Sequence, residues 1–95
     1  MRLYVLIDSS LPKVYGAVQG AHAVAQFLLT YPKTKWRNET LIFLRCENIK
    51  ETFDDLFSKA KKPVFATWFE PDLNNRMTSF AATGIDKLVK HLPLL

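Results

Sequence analysis

Residues 2–8 have the sequence RLYVLID, a run of β-branched and aromatic side chains that ends in the loop-forming group Asp8-Ser9-Ser10. This composition predicts a first β-strand. Small and apolar residues then recur at helical spacing from about Lys13 to Tyr31, and Pro32 predicts the end of that helix. The first third of the chain is therefore expected to be a strand followed by a long helix.

A second strand and a second helix are predicted in the middle of the chain. The strand is the apolar run 41–47, and it is followed by Asn48 and Glu51, whose three-residue spacing is typical of a capping pair. The helix that this pair opens is expected to continue to Lys61, because Pro63 then stops it.

The last third of the chain predicts two strands and a short helix. The strands are the apolar runs 64–69 and 77–82, and the polar segment between them is rich in turn-forming residues. Thr83 with Asp86 three residues later predicts the start of the last helix, which Pro93 closes.

The element order β-α-β-α-β-β-α predicts an α/β fold in a single domain over residues 1–95, with right-handed crossovers and helices that cover the sheet. A chain of 95 residues, 48% hydrophobic and 23% charged, is too short for a multidomain enzyme and too apolar for a disordered protein. The strand runs are apolar almost throughout, which indicates burial on both faces. Ligands of open α/β sheets usually bind at the carboxyl edge, beyond the first strand.

Membrane insertion and disulfide chemistry are not expected. The longest apolar stretch, 21–29, is interrupted by His22 and Gln26 and is too short to span a bilayer. No export signal is visible after Met1, so the cytoplasm is the expected location. The single cysteine, Cys46, lies in a predicted strand and is expected to be a packed thiol.

The net charge of +4 permits an anionic partner without requiring one. Lys33, Lys35 and Arg37 surround Trp36, an arrangement that suits phosphate contacts with base stacking but that an ordinary polar loop would also show. A second basic group, 59–62, ends the second helix, where helix-dipole complementarity explains it about as well as RNA binding does.

Four polar residues form a stripe on the first helix: Tyr15, Gln19, His22 and Gln26. An imidazole suits proton transfer near neutral pH when a partner orients it, although a histidine on a polar helix face can also be simply solvated. The neighbouring small residues, Gly16 and Gly20, indicate either close packing against the sheet or room for a ligand.

The loop after the third strand holds the second candidate group. Asp72 is flanked by Pro71, Asn74 and Asn75, so its carboxylate is fixed in a turn; the alternative is that these residues only build an Asx-type turn. No phosphate-binding glycine loop, nucleophile elbow or metal-ligand pattern is present in the sequence, so no cofactor and no metal are expected.

The stretch 17–23, AVQGAHA, on a helix that follows a Tyr-Val-Leu-Ile strand, resembles the Gln-x-x-His-Ala signature of type II peptidyl-tRNA hydrolases. At the level of element order the resemblance covers nearly the whole chain, but only the helix motif is specific. It implies a three-layer α/β/α domain with a four-stranded mixed sheet in the order 2-1-4-3. It also implies hydrolysis of the ester that joins a peptide to the terminal ribose of tRNA.

His22 matches the histidine of the family motif, Gln19 its glutamine and Asp72 its loop aspartate. Tyr15 stands where the family has a lysine, with Lys13 as the nearest amine. The family run Asp-x-Gly-x-Thr-Gln-Ile-Ala is absent, and Thr78 corresponds to one of the two family threonines.

The resemblance implies that His22, oriented by Asp72 or by a glutamine amide, activates or positions the water, and that Thr78 or a backbone amide donates to the oxyanion. The expected substrate-binding residues are Gln19, Tyr15 and Asn74 at the site, with Lys13, Lys33, Lys35 and Arg37 on the phosphates of the tRNA.

Two other functions remain open at this point. The first is a catalytically inactive relative that binds RNA or protein, and the second is a small hydrolase of a different ester or amide. Trp68 and Phe69 are expected in the core, with a homodimer contact as the alternative.

Overall fold

Four strands and two α-helices alternate along the chain in the structure, a computed structural model that describes residues 1–95. The elements are β1 (Arg2–Asp8), α1 (Lys13–Thr30), β2 (Thr40–Cys46), α2 (Ile49–Lys59), β3 (Val64–Glu70) and β4 (Arg76–Thr83). Single 3-10 turns follow β3 at Pro71–Leu73 and β4 at Asp86–Leu88. The predicted α/β class is confirmed. Neither helix is long and apolar enough to cross a membrane.

The strands form one mixed sheet in the order β2-β1-β4-β3. β1 pairs in parallel with β2, whereas β4 runs antiparallel to both β1 and β3. The order is the one that the resemblance implies. The outer edge of β2 is partly covered by the end of the chain, since the Arg45 N–H donates to the Pro93 carbonyl and the Leu95 N–H to the Phe43 carbonyl, each at 3.0 Å.

Alternate residues of β1 enter two separate hydrophobic clusters. Leu3, Val5 and Ile7 pack with Ala23 and Phe27 of α1. Tyr4 and Leu6 belong to a second cluster that includes Ile49 and Leu56 of α2. Because side chains alternate across a strand, the two clusters occupy opposite faces of the sheet. The predicted burial on both faces is confirmed for the central strands β1 and β4, whereas the edge strand β2 leaves Leu41 and Arg45 exposed.

The glycines of α1 bring this helix into close contact with the sheet. A Cβ atom at Gly20 would lie 2.7 Å from Phe43 Cε2 and 2.9 Å from Ile7 Cδ1, and one at Gly16 would lie 3.0 Å from Ile7 Cγ2. Close packing, and not room for a ligand, is therefore the reason for these small residues.

The start of α2 differs from the prediction. Asn48 has a left-handed backbone (φ 51°) and makes no side-chain cap, so the predicted capping pair with Glu51 is wrong. Asparagine tolerates this conformation, and Asn48 still occupies the predicted N-cap position, since the helix begins at Ile49. It also ends at Lys59, before the predicted Lys61, because Ala60 is already extended.

The predicted last helix is also wrong, since only one 3-10 turn forms after β4. Thr83, the predicted cap, is instead the last residue of β4 and pairs with Val64. Gly84 then turns the chain with a positive φ of 76°. Ile85 and Val89 are both buried, so their four-residue spacing reflects contact with the core without a continuous helix.

Candidate active site

Polar side chains converge at the edge where the parallel strands β1 and β3 end and the antiparallel strand β4 begins. The terminal residues of these strands are Asp8, Glu70 and Arg76. The first ten residues of α1 lie beside this edge and include Tyr15, Gln19 and His22. This is the carboxyl edge at which the sequence predicts a ligand site.

Gln19, on α1, is the centre of a buried hydrogen-bond network. Its side-chain amide donates to Glu70 Oε1 at 2.8 Å. Its side-chain oxygen accepts from Trp68 Nε1 at 3.1 Å and from Thr78 Oγ1 at 2.7 Å. The residue is 1% exposed. One side chain of α1 thus joins the end of β3 to the start of β4 through one donated and two accepted hydrogen bonds.

The backbone of Gln19 is held as well. Ser79 Oγ donates to the Gln19 carbonyl at 2.7 Å, and both groups are buried. A hydroxyl that bonds a helical carbonyl fixes the helix to the strand below it. The rotation of α1 about its axis is therefore set at Gln19, one helical turn before His22.

His22 lies next to this network and remains exposed. Its ring stacks on the indole of Trp68, with centroids 4.5 Å apart and planes 13° apart. Trp68 is half-buried and is itself held by its hydrogen bond to Gln19. The imidazole is thus supported on one face by a fixed aromatic surface while its nitrogen atoms stay accessible to water.

The carboxylate associated with His22 is Glu70. The Glu70 side chain accepts from the Gln19 amide and, at 3.2 Å, from the Asp72 N–H. The hydrogen bond from Gln19 lowers the pKa of the Glu70 carboxyl most, the Asp72 N–H and the charge of His22 lower it further, and burial opposes them. Glu70 is therefore an ionised, oriented anion beside the imidazole.

Tyr15 also faces the acidic groups. Burial raises the pKa of the Tyr15 phenol above its ordinary value, the charges of Glu70 and Asp72 raise it further, and the Arg76 guanidinium opposes them. The phenol accordingly stays protonated at neutral pH and is available as a hydrogen-bond donor.

Arg76 is held at the site by Asp8. Its Nη1 lies 2.8 Å from Asp8 Oδ2, and the other oxygen of the buried Asp8 accepts from Ser10 N–H and Oγ at 2.9 and 2.7 Å. The side chain of Arg76 stays half-exposed. A cation is thereby fixed beside the acidic cluster with part of its donor surface free.

The Asp72 loop reaches the site through its backbone. The side chain of Asp72 is exposed, and the hydrogen bond that closes the turn is accepted by Glu70 and not by Asp72. Asn74 and Asn75 both have positive φ, 56° and 57°, and Asn74 is exposed on the same loop. Asp72 therefore borders the site through its backbone N–H, and Asn74 lies two residues further along the same loop.

Thr78 is placed under the site. It is 0% exposed, and its hydroxyl proton is donated to Gln19. Because the group is closed off from solvent and its donor is used, it supports Gln19 and does not point to a substrate.

The basic residues that the sequence predicts to contact tRNA phosphates lie in two separate places. Lys13 is the first residue of α1 and lies exposed at the site edge. Lys33, Lys35 and Arg37 follow the far end of α1, which is about 27 Å long from its 18 residues. Trp36, between them, is 4% exposed and donates to the Thr40 carbonyl, so base stacking on this indole is ruled out.

Sequence reasoning missed the roles of Glu70 and Trp68. Glu70 was expected to begin a loop, but it is the last residue of β3. An acidic residue directly after an apolar strand run was the available signal, because such a position lies at the carboxyl edge. Trp68 is two residues earlier and hence on the same face of the strand, next to α1.

The arrangement combines an accessible imidazole, a fixed carboxylate and two hydrogen-bond donors, the neutral phenol of Tyr15 and the cationic guanidinium of Arg76. Such a set can move a proton and stabilise a developing negative charge. No three metal-ligating side chains lie close enough to hold a metal ion. In comparisons with known proteins, no family model and no curated protein matches the chain.

Proposed function

We propose that the chain is a divergent type II peptidyl-tRNA hydrolase with a three-layer α/β/α domain, and that it hydrolyses the ester between peptide and tRNA. The observation that carries the proposal is that the two polar residues of the Gln-x-x-His-Ala motif lie in different environments. Gln19 is fully buried and joins α1 to β3 and β4, whereas His22, one turn later, is exposed beside a fixed carboxylate.

In the proposed reaction His22 is the general base. The imidazole accepts a proton from water, and the water oxygen attacks the ester carbonyl. The imidazolium then returns the proton to the ribose oxygen, so that the products are a free peptide acid and a free tRNA hydroxyl. Glu70 stabilises the transient imidazolium, and Trp68 holds the plane of the ring.

The proposed oxyanion donors are Tyr15 and Arg76. The raised pKa of Tyr15 keeps the phenol protonated in the position where the family has a lysine. Arg76 offers the part of its guanidinium that Asp8 leaves free. Thr78, which the resemblance assigns to the oxyanion, is proposed instead as a positioning residue for Gln19, because its hydroxyl is buried and already donates.

Substrate contacts are proposed on both sides of the imidazole. Asp72 and Asn74 lie on the loop after β3, where an aspartate and an amide can bond the hydroxyls of the terminal ribose. Lys13 lies at the start of α1 and is proposed to contact a phosphate near the 3′ end.

A second candidate function is that of an inactive relative that binds RNA. Two observations favour it: a phenol stands in place of the family lysine, and the hydroxyl of Thr78 is committed to Gln19. Both would leave RNA binding intact while removing groups that the reaction uses in the family.

One assay separates the two functions. Purified protein is incubated with peptidyl-tRNA, and the release of free tRNA is followed beside His22→Ala and Asp72→Asn. Release that the His22 variant loses supports the hydrolase. Salt-sensitive tRNA binding without release supports the inactive relative, and hydrolysis of simple esters in the absence of tRNA overturns both.

A further inference from the structure

Charge is unevenly distributed between the two ends of the sheet. The site edge carries both signs of charge, with Asp8, Glu70 and Asp72 beside Lys13 and Arg76. The opposite edge is formed by the start of β1 and β3, the end of β4 and the far ends of both helices. It carries a group of exposed lysines that we call the lysine edge: Lys33, Lys35, Lys59, Lys61, Lys62 and Lys87.

The acidic residues at the lysine edge are all paired. Glu39 lies 3.0 Å from the N-terminal amine, Asp55 lies 3.0 Å from Lys59, and Asp86 lies 3.3 Å from Arg2. The lysines that remain without an ion pair are Lys33, Lys35, Lys61, Lys62 and Lys87. The positive charge of this edge is therefore not neutralised within the chain.

These lysines surround two neighbouring clefts. One cleft, of about 570 Å³, is lined by Lys59, Lys61, Lys62 and Lys87 and reaches Gly84. The other, of about 450 Å³, is lined by Lys33 and Lys35 and reaches Thr83. The two clefts share no lining residue, but Thr83 and Gly84 are adjacent in the chain, so the clefts lie on either side of the end of β4.

The helix dipole does not account for this surface. Lys59 lies in the last turn of α2, where a cation is favourable. Lys61 and Lys62 follow the helix, while Lys87 and Lys33 belong to other connections. The concentration of charge at one edge is thus a property of the fold and not of one helix.

We propose that the lysine edge is a second RNA-binding surface, which takes the phosphodiester backbone of the tRNA body while the 3′ end occupies the His22 site. The identity of the polyanion rests on the proposed function, whereas the charged surface does not. Two concave clefts suit the ridges of a nucleic-acid backbone better than the plane of a lipid surface. The two edges of the sheet lie about 20 Å apart, the length of the seven residues of β1.

The test compares two double variants with the same change in charge. Lys61→Ala with Lys62→Ala alters the lysine edge, and Arg45→Ala with Lys50→Ala alters exposed cations nearer the other edge. Affinity for deacylated tRNA is titrated at several salt concentrations. The lysine-edge variant is expected to lose about 0.9 in the slope of log affinity against log salt for each lost phosphate contact, and the control is expected to keep its slope.

Hydrolysis supplies an independent readout. With peptidyl-tRNA, the lysine-edge variant is expected to raise KM and leave kcat unchanged. With peptidyl-adenosine, which is too small to span about 20 Å, KM is expected to stay the same. If the chain releases no tRNA at all, the proposed function fails, and the titration still decides the present proposal.

Three results would overturn it. An unchanged slope in the lysine-edge variant means that no phosphate is bound there. Equal losses in both double variants mean that only net charge matters. If the lysine-edge variant loses binding to phosphatidylserine vesicles but keeps its affinity for tRNA, the surface binds a membrane and not RNA.

Discussion

The imidazole of His22 lies nearly parallel to the indole of Trp68, with 4.5 Å between ring centroids and 13° between planes. The indole is itself fixed by its N–H bond to Gln19, which lies on the same helix as His22. The ring orientation of His22 therefore depends on β3 as well as on α1. We therefore expect catalysis to depend on residues that touch no substrate.

Trp68→Phe and Trp68→Leu test the stacking. Phenylalanine keeps an aromatic surface but loses the bond to Gln19, whereas leucine loses both. We expect kcat on peptidyl-tRNA to fall in the order wild type, Trp68→Phe, Trp68→Leu, with a total loss of about 10²-fold, because small misplacements of a reacting group have effects of that size. Equal kcat values in folded variants would show that the indole does not orient the imidazole.

Gln19→Leu tests the buried network through stability. The change leaves the Thr78 hydroxyl and the Trp68 N–H without an acceptor and removes a donor from Glu70. Since each unpaired buried group costs about 1–3 kcal/mol, we expect the free energy of unfolding in urea to fall by about 2–4 kcal/mol.

Gln26→Leu is the matched control, because Gln26 lies on the same helix with only an exposed 3.4 Å contact to Thr30. Its unfolding free energy is expected to change by less than about 0.5 kcal/mol. Similar values for the two leucine variants would contradict the role given to Gln19.

Much of the fold could be predicted from the sequence. The β-branched run of β1, the apolar period of α1 and the stop at Pro32 depend on neighbours along the chain, and local physical rules describe them well. The end of the chain was harder, because Thr83 can cap a helix or finish a strand. Pairing with Val64, far away in sequence, decides between the two.

The candidate site could be predicted only in part. Gln19 and His22 follow from helical spacing and motif, but the partner carboxylate does not: the sequence predicts Asp72, whereas the carboxylate that feels the charge of His22 is Glu70. The register of β3 against β4 places Glu70 at the sheet edge and leaves Asp72 exposed on the turn. Burial of Thr78 and Trp36 is likewise a tertiary property.

Glu70 predicts a pH dependence of stability. Its pKa is lowered in the folded state, first by the Gln19 amide. The stabilisation is therefore complete above the unfolded value of about 4.3 and is lost as the pH falls through the lower folded value. When unfolding in urea is measured at neutral pH and in acid, the free energy of unfolding should differ less between the two pH values for Glu70→Gln than for the wild type.

The control for this experiment is Glu51→Gln, an exposed glutamate that makes no ion pair. It should keep the acid dependence of the wild type. If Glu70→Gln also keeps the full dependence, the carboxylate is not stabilised by the network in the folded protein.

Cys46 offers a readout of folding. Burial raises the pKa of its thiol to about 11, the charge of Asp8 adds to the increase, and a hydrogen bond with Thr52 opposes it. The thiolate is the reactive form, so at pH 8 iodoacetamide should leave the folded protein unlabelled and should modify Cys46 as urea unfolds the chain. Labelling of the folded protein at the rate of a free thiol would contradict the burial.

The decisive measurement is kcat/KM for peptidyl-tRNA hydrolysis by wild type and by His22→Ala, with Gln26→Ala as the control on the same helix. If His22 is the general base, its removal lowers kcat/KM by about 10²–10⁴-fold, whereas Gln26→Ala leaves it unchanged. Equal hydrolysis by wild type and His22→Ala would contradict the account.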